Sequence, residues 1–290
     1  MVSTKAFLDF PQAARASARY CVLPVAFDAT ATYKRGARHA PRAIIEASAE
    51  VELFDEELKR PLDALRVHTL PEISDNADGP EKTVEKVEKE VAEILPSFPL
   101  VLGGEHSVSI GGVRAAIKKF SSLTVLYFDA HADLRDEFEG SRFNHACAAR
   151  RMLDAGARLV QVGVRSLDAE QFDFVEKMPE SRLKVFWMQD LADGVSEKKA
   201  QEIARVVGND ATWISFDVDA FDPSEVPNVG TPEPGGLHWR DVLRILRTVM
   251  SNAQVVGADV VELCPVDGAI ASDFAVARLS AKILAYKEFL

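Results

Sequence analysis

The sequence predicts an α/β protein, with a mostly parallel sheet flanked by helices. Three observations carry that reading. Apolar runs recur along the 290 residues and alternate with segments of helical period. Several runs are continuous Val, Ile, Leu and Phe, the composition of strands covered on both faces. The chemically loaded residues follow these runs directly, at the carboxyl ends where open α/β sheets bind ligands.

Taken in order, the first run is "CVLPVAF" (21–27), and a helix is expected over 41–58. A short strand at 67–70 precedes a helix at 80–95, where Val84, Val87, Val91 and Ile94 recur at helical spacing and the charges form a solvated face. The run 100–102 leads to a helix at 109–120, and "LTVLYF" (123–128) to a helix at 145–155. Strands at 159–164, 184–188, 212–216 and 255–261 alternate with helices at 169–176, 197–207, 239–250 and 273–289. No linker or internal repeat interrupts the series, so residues 1–290 read as one domain with an N-terminal extension over 1–19.

The bulk numbers narrow the function. Asp and Glu number 45 against 34 Lys and Arg, a net charge of −11 with a pI of about 5.1. Nucleic acid needs a basic footprint, so it is not an expected partner. A cationic small molecule drawn in by a negative field is compatible. Cys21, Cys147 and Cys264 are scattered and odd in number, which favours a reducing compartment. The N-terminus has no apolar signal-peptide core and no run reaches membrane-spanning length, so a cytoplasmic location with no membrane partner is expected.

The stretch "LYFDAHADLRDEF" (126–138) concentrates the chemistry. Asp129, His131 and Asp133 alternate, and alternate residues of an extended segment share a face. Two further run ends are similarly loaded. "VLGGEHS" carries Glu105 and His106 after a glycine pair that permits a tight turn or close backbone approach. "SFDVDAFDP" carries Asp217 and Asp219, and a fourth run ends in Glu262. A lone D-x-D after a strand is often a turn or cap. Here a parallel sheet gathers His106, Asp129, His131, Asp133, Asp217 and Asp219 to one place. Unpaired, desolvated carboxylates in such a group cost several kcal/mol each, on the order of the penalty for any buried ion. The four carboxylates are balanced by two divalent cations better than by one, and an oxygen-rich set with little imidazole and no thiol suits Mn²⁺ better than Zn²⁺.

At these residues the chain resembles the ureohydrolase superfamily of arginases, agmatinases and related guanidine-cleaving enzymes. "GGEHS", "DAHADLRDE" and "SFDVDAFDP" match its metal motifs; "DATATYKRGARHAPRAI", "GTPEPGG" and "VVELCP" also follow its pattern, over roughly residues 20–290. The resemblance implies a three-layer α/β/α sandwich on an eight-stranded parallel sheet, a pair of Mn²⁺ ions, and a homo-oligomer, trimeric or hexameric. His106, Asp129, Asp133 and Asp217 would hold one ion, and Asp129, His131, Asp217 and Asp219 the other. His145 matches the proton-shuttling histidine and Glu262 the glutamate that pairs with the substrate guanidinium, with Asp133 carrying a proton to the leaving amine.

Two departures stand out. Glu105 sits where many members have Asp, and the 133–145 loop lacks the arginase pattern that binds the substrate's amino-acid end. "DLRDEF" with "NHACAARR" resembles the agmatinase-like branch instead. Agmatine, giving putrescine and urea, is the leading substrate; Asp136, Glu137 or Glu139 on that loop could meet its far amine, whereas Arg135 and Arg142 could bind a carboxylate. Aminopropylagmatine, arginine, guanidinobutyrate and formiminoglutamate are the alternatives within the superfamily. Outside it stand a single-metal zinc deacylase, which would leave His106, Asp133, Asp219 and Glu262 without evident work, and a scaffold that has lost catalysis. Asn144 offers a structural reading of His145, as the residue that follows a helix cap.

Overall fold

A computed structural model describes residues 5–74 and 76–290 of the chain; residues 1–4 of the expected N-terminal extension lie outside the described residues. Eight parallel strands form one sheet: β1 (Tyr20–Pro24), β2 (Val67–Thr69), β3 (Phe98–Leu102), β4 (Thr124–Phe128), β5 (Arg158–Val164), β6 (Leu183–Trp187), β7 (Ala211–Asp217) and β8 (Gln254–Val261). Their order across the sheet is β2-β1-β3-β8-β7-β4-β5-β6. The four loaded strand ends therefore belong to four adjacent central strands, β3, β8, β7 and β4. Register completes the alignment. Phe128 pairs with Phe216, so Asp129 and Asp217 emerge side by side, and Val261 pairs with Asp217, which brings Glu262 to the same edge.

Helices cover both faces: α1 (Ala40–Ser48), α2 (Pro80–Ile94), α3 (Ser109–Lys119), α4 (Ala148–Asp154), α5 (Ala169–Lys177), α6 (Glu197–Val207), α7 (Trp239–Met250) and α8 (Ile270–Phe289). One core packs α1, α6, α7 and α8 on side chains such as Val22, Leu100, Leu126 and Ile214. The other packs α2, α3, α4 and α5 on their sequence neighbours Cys21, Leu23, Val101, Val125 and Trp213. The alternation is the strand period at work. On α2 the stripe of Val84, Val87, Val91 and Ile94 is buried, at about 1.5–3 kcal/mol per fully buried side chain.

Most expected elements form within a few residues of their predicted ends. The helix expected over 41–58 stops at Ser48, and Phe54–Asp55 pairs instead with Arg60–Pro61 in a two-stranded ribbon. A buried charge explains the change. Asp55 is 1% exposed, accepts the backbone N–H groups of Glu57 and Leu58, and lies 2.9 Å from the equally buried Lys282 Nζ of α8. A straight helix could not deliver that carboxylate to its cation. The helix expected over 145–155 starts as a 3₁₀ turn, His145–Cys147, capped by Asn144, whose Oδ1 accepts from Ala146 N. The strand expected to end at residue 27 ends at Pro24.

Candidate active site

The glycine pair works by close approach. A Cβ on Gly104 would collide with the Phe27 carbonyl oxygen, and Glu105 N donates to that same oxygen. This pins the turn after β3 against the chain after β1 and puts His106 in the sheet's central crevice. His106 is 1% exposed. Its Nδ1 lies 3.1 Å from Asp129 Oδ2, 3.2 Å from Asp217 Oδ2 and 3.4 Å from Asp133 Oδ2. On the other side of Asp129, His131 Nδ1 lies 2.9 Å from Asp219 Oδ2 and 3.6 Å from Asp129 Oδ1. All six expected ligands thus meet at one strand-end crevice.

The D-x-D pairs act as turn and as cluster at once. Asp129 Oδ1 accepts His131 N at 2.6 Å, and Asp217 Oδ1 accepts Asp219 N at 2.8 Å. Each aspartate fixes the local turn with one oxygen and turns Oδ2 towards His106. Asp129 Oδ2 is buried and receives no hydrogen bond. Such an oxygen is costly unless a cation meets it.

Divalent ions fit these donors. His106, Asp129 and Asp217 offer donor atoms within 4.8 Å of one another, and so do Asp129, His131 and Asp219, with Asp129 common to both groups. Asp133 stands beside the first. The His106 tautomer points the same way. Its Nε2 is 2.9 Å from Ser215 Oγ, whose hydroxyl proton goes to Asp259 Oδ1 at 2.8 Å. Ser215 therefore accepts from Nε2–H, and in the neutral ring the Nδ1 lone pair faces the carboxylates. Burial, then the Asp129 charge, pushes Asp133 up to about 8; burial, then Asp219 and Asp129, pushes Asp217 well up. Burial opposes ionisation of Asp129 too, but His106 and His131 hold it low, and the carboxylates in turn raise both imidazoles. The cluster recruits protons when no other cation is present.

A cavity of about 320 Å³ opens over this cluster, lined by His131, Asp133, Asp217 and Asp219 together with His145 and Glu262. Glu262 Oε1 accepts His106 N at 2.7 Å, and His145 Nδ1 lies 3.8 Å from the same oxygen. Burial, then neighbouring Glu105, drives Glu262 well above the usual carboxylate range, so an arriving cation is favoured there. His145 is lowered to about 4, by burial and by His131 and His106, and is held by a hydrogen bond from its N to Thr30 Oγ1. Asp133 and Glu262 both adopt left-handed backbone, φ +50° and +68°. That conformation is uncommon for residues other than glycine and often marks a constrained site.

Asp136 takes a different place. It receives Arg151 at 2.6 Å and Arg142 at 3.0 Å, and it lines a neighbouring cavity rather than the one over the cluster. The sequence reading missed Tyr127, Ser215, Asp259 and Thr30. Tyr127 stacks on His106 with ring centroids 4.5 Å apart and donates to Asp133 Oδ2 at 2.8 Å. Tyr127 and Ser215 lie two residues before Asp129 and Asp217, on the same strand faces; that period is the signal that points to them. Glu105 is fully buried, raised to about 7 by burial, and holds Thr30 and Ser107.

The chain belongs to the arginase family of ureohydrolases, in its agmatinase-like branch, with the family match running over residues 18–285. It is 36% identical over 279 residues to the N(1)-aminopropylagmatine ureohydrolase of Synechocystis sp., covering 93% of this chain and 90% of that protein. It is 32% identical over 262 residues to the agmatinase of Pyrococcus horikoshii, covering 88% and 87%. The structure of the agmatine ureohydrolase of Thermoplasma volcanium superposes with a TM-score of 0.87 at 31% identity, covering 99% of this chain and 96% of that one. No helix among the described residues is long and apolar enough to cross a membrane.

Proposed function

We propose that the protein hydrolyses the guanidino group of a linear guanidino amine to urea and the corresponding amine, with a pair of Mn²⁺ ions in the cluster. The observation that carries this is the joint lining of one cavity by the buried carboxylate–imidazole cluster and Glu262. His106, Asp129 and Asp217, with Asp133 beside them, would hold one ion; Asp129, His131 and Asp219 the other. Bound divalent ions supply a water of lowered pKa, a nucleophile available near neutral pH.

The chain's own groups do the rest. Glu262, already fixed by His106 N, receives the planar guanidinium through charge-assisted hydrogen bonds and orients its carbon towards the cluster. Asp133, anchored by Tyr127, carries a proton at the cluster to the departing nitrogen. His145, whose side chain is 18% exposed, passes protons between the cavity and solvent; such acid–base help is typically worth about 10²–10⁴-fold.

The substrate's far end is read from the arginines. Arg135 is paired with Asp168 at 2.8 Å, and Arg142, which shares Asp136 with Arg151, does not line the cavity over the cluster. This favours agmatine-type amines over arginine or guanidinobutyrate. The similarity to enzymes named for N(1)-aminopropylagmatine and for agmatine supports both amines, agmatine being the one the sequence reading favours. Oligomerisation of identical subunits is part of the same reading.

The test is urea release by Mn²⁺-loaded protein across aminopropylagmatine, agmatine, arginine and 4-guanidinobutyrate. The two amines should lead; a preference for arginine contradicts the substrate reading. Asp129→Asn, at the shared position, should abolish turnover, and near-full turnover contradicts the role given to the cluster.

A further inference from the structure

Glu105 is a fully buried carboxylate that the proposed reaction does not use. It accepts from three donors: Thr30 N at 2.7 Å, the Thr30 hydroxyl, and Ser107 Oγ at 2.7 Å. One carboxylate thus grips Thr30 at two atoms. The Thr30 hydroxyl has a single proton and Glu105 takes it, so the oxygen presents its lone pairs elsewhere. One of them receives His145 N at 3.0 Å. That N–H opens the 3₁₀ turn His145–Cys147, and the first donors of a helical turn have no partner within it. The same loop also approaches the ring, with Thr32 Oγ1 3.5 Å from His145 Nε2.

We infer that Glu105 is a positioning residue for His145, acting through Thr30 to hold the imidazole in the wall of the catalytic cavity. The path runs from carboxylate to hydroxyl to backbone, and it ends at a ring whose Nδ1 lies 3.8 Å from Glu262 Oε1. The turn that carries Glu105 is itself tied to the start of the Thr30 loop, since Glu105 N donates to Phe27 O at 2.9 Å. Side-chain length matters on this path. An aspartate carboxylate would retreat towards its own backbone by one carbon–carbon bond, about 1.5 Å. The 2.7 Å bond to Thr30 N, lengthened by that much, lies beyond hydrogen-bonding distance. The Thr30 hydroxyl would lose the acceptor that orients it, and with it the lone pair aimed at His145 N.

The inference rests on the ureohydrolase reading for the part His145 plays in turnover, so one readout is independent of activity. It is the rate at which diethyl pyrocarbonate modifies His145, followed by mass spectrometry on wild type, Thr30→Val, Thr30→Ser and Glu105→Asp. The second readout is kcat and KM for agmatine on Mn²⁺-loaded protein, with each variant also made in a His145→Ala background and bound metal measured in the same samples. Thr30→Val is nearly isosteric, lies outside the ligand cluster and removes both hydroxyl bonds. It and Glu105→Asp should open His145 to faster modification and lower kcat about a hundredfold, the size of a misplacement of about 1 Å, with KM little changed. Thr30→Ser keeps the hydroxyl and should behave as wild type. In the His145→Ala background the same substitutions should cost nothing further. Modification of His145 at the wild-type rate in Thr30→Val, or a kcat loss of equal size in both backgrounds, overturns the inference. So does Thr30→Val with wild-type kcat while Glu105→Asp loses metal and activity together, which would place the action of Glu105 at His106. Wild type that releases no urea, with His145 still opened by both substitutions, refutes the proposed reaction and upholds the positioning of His145 by Glu105.

Discussion

His106 Nε2 lies 2.9 Å from Ser215 Oγ, across the strand that separates their own two. Behind that serine, Asp259 accepts from Ser215, from Ser109 at 2.7 Å and from Trp213 Nε1 at 2.5 Å, all out of contact with solvent. The relay sets which imidazole nitrogen faces the cluster. Partners of this kind behind a ligating histidine typically change metal affinity about 10–100-fold when removed. Ser215→Ala and Asp259→Asn should each weaken divalent-ion binding by that order, read by competition with a chelating dye, while far-ultraviolet circular dichroism stays native. Affinity equal to wild type in both variants would contradict the tautomer assignment.

The Lys282–Asp55 pair is far from the cavity in sequence and in role. Both side chains are 1% exposed, and Lys282 Nζ also reaches Glu56 at 3.1 Å and Glu57 at 3.3 Å. Lys282→Met leaves Asp55 buried without its cation, and breaking a buried pair in that way costs about 3–5 kcal/mol. Urea denaturation should show a loss of that size. A loss below about 1 kcal/mol would mean that the flanking groups already solvate Asp55.

Asp222 organises the loop that carries Thr231 to the cavity wall. Its carboxylate accepts Ser224 N at 2.9 Å, Gly235 N at 2.8 Å and Gly236 N at 3.0 Å. These bonds, those from Ser224 first, hold it below the usual carboxylate range. A carboxylate depressed in the folded state adds stability above its unfolded pKa, about 3.9, and the contribution is lost as pH falls through the folded value. Asp222→Ala should cost about 1–2 kcal/mol at pH 7, and the gap to wild type should close as pH falls below about 4. A gap independent of pH would show that the loop is held by other contacts.

How much of this was legible in the sequence follows from what each residue's signal depends on. Continuous apolar runs reported the strands because burial on both faces leaves no polar alternation to confuse them. The six proposed ligand positions stood out as a group because an ionisable group directly after a buried strand is drawn partly out of water and needs a counter-charge. The ribbon at Phe54–Asp55 was not readable, since its cause is Lys282, more than 220 positions away. Tyr127 and Ser215 read as ordinary strand residues; only the sheet brings them to His106. Arg135 and Arg142 were ambiguous because their partners Asp168 and Asp136 become partners only through the fold. The left-handed backbone at Glu262 has no sequence signature, and at Asp133 only the weak preference of aspartate for that region, because glycine is absent from both positions.

The proposed function depends on two divalent ions, for which Asp129 is common to both donor groups. The most direct measurement is metal content per chain, by elemental analysis, on protein passed through a desalting column and assayed for urea release in the same sample. Two ions per active chain, falling in step with activity on chelation, is the expected result; full activity with a single ion per chain would contradict the account.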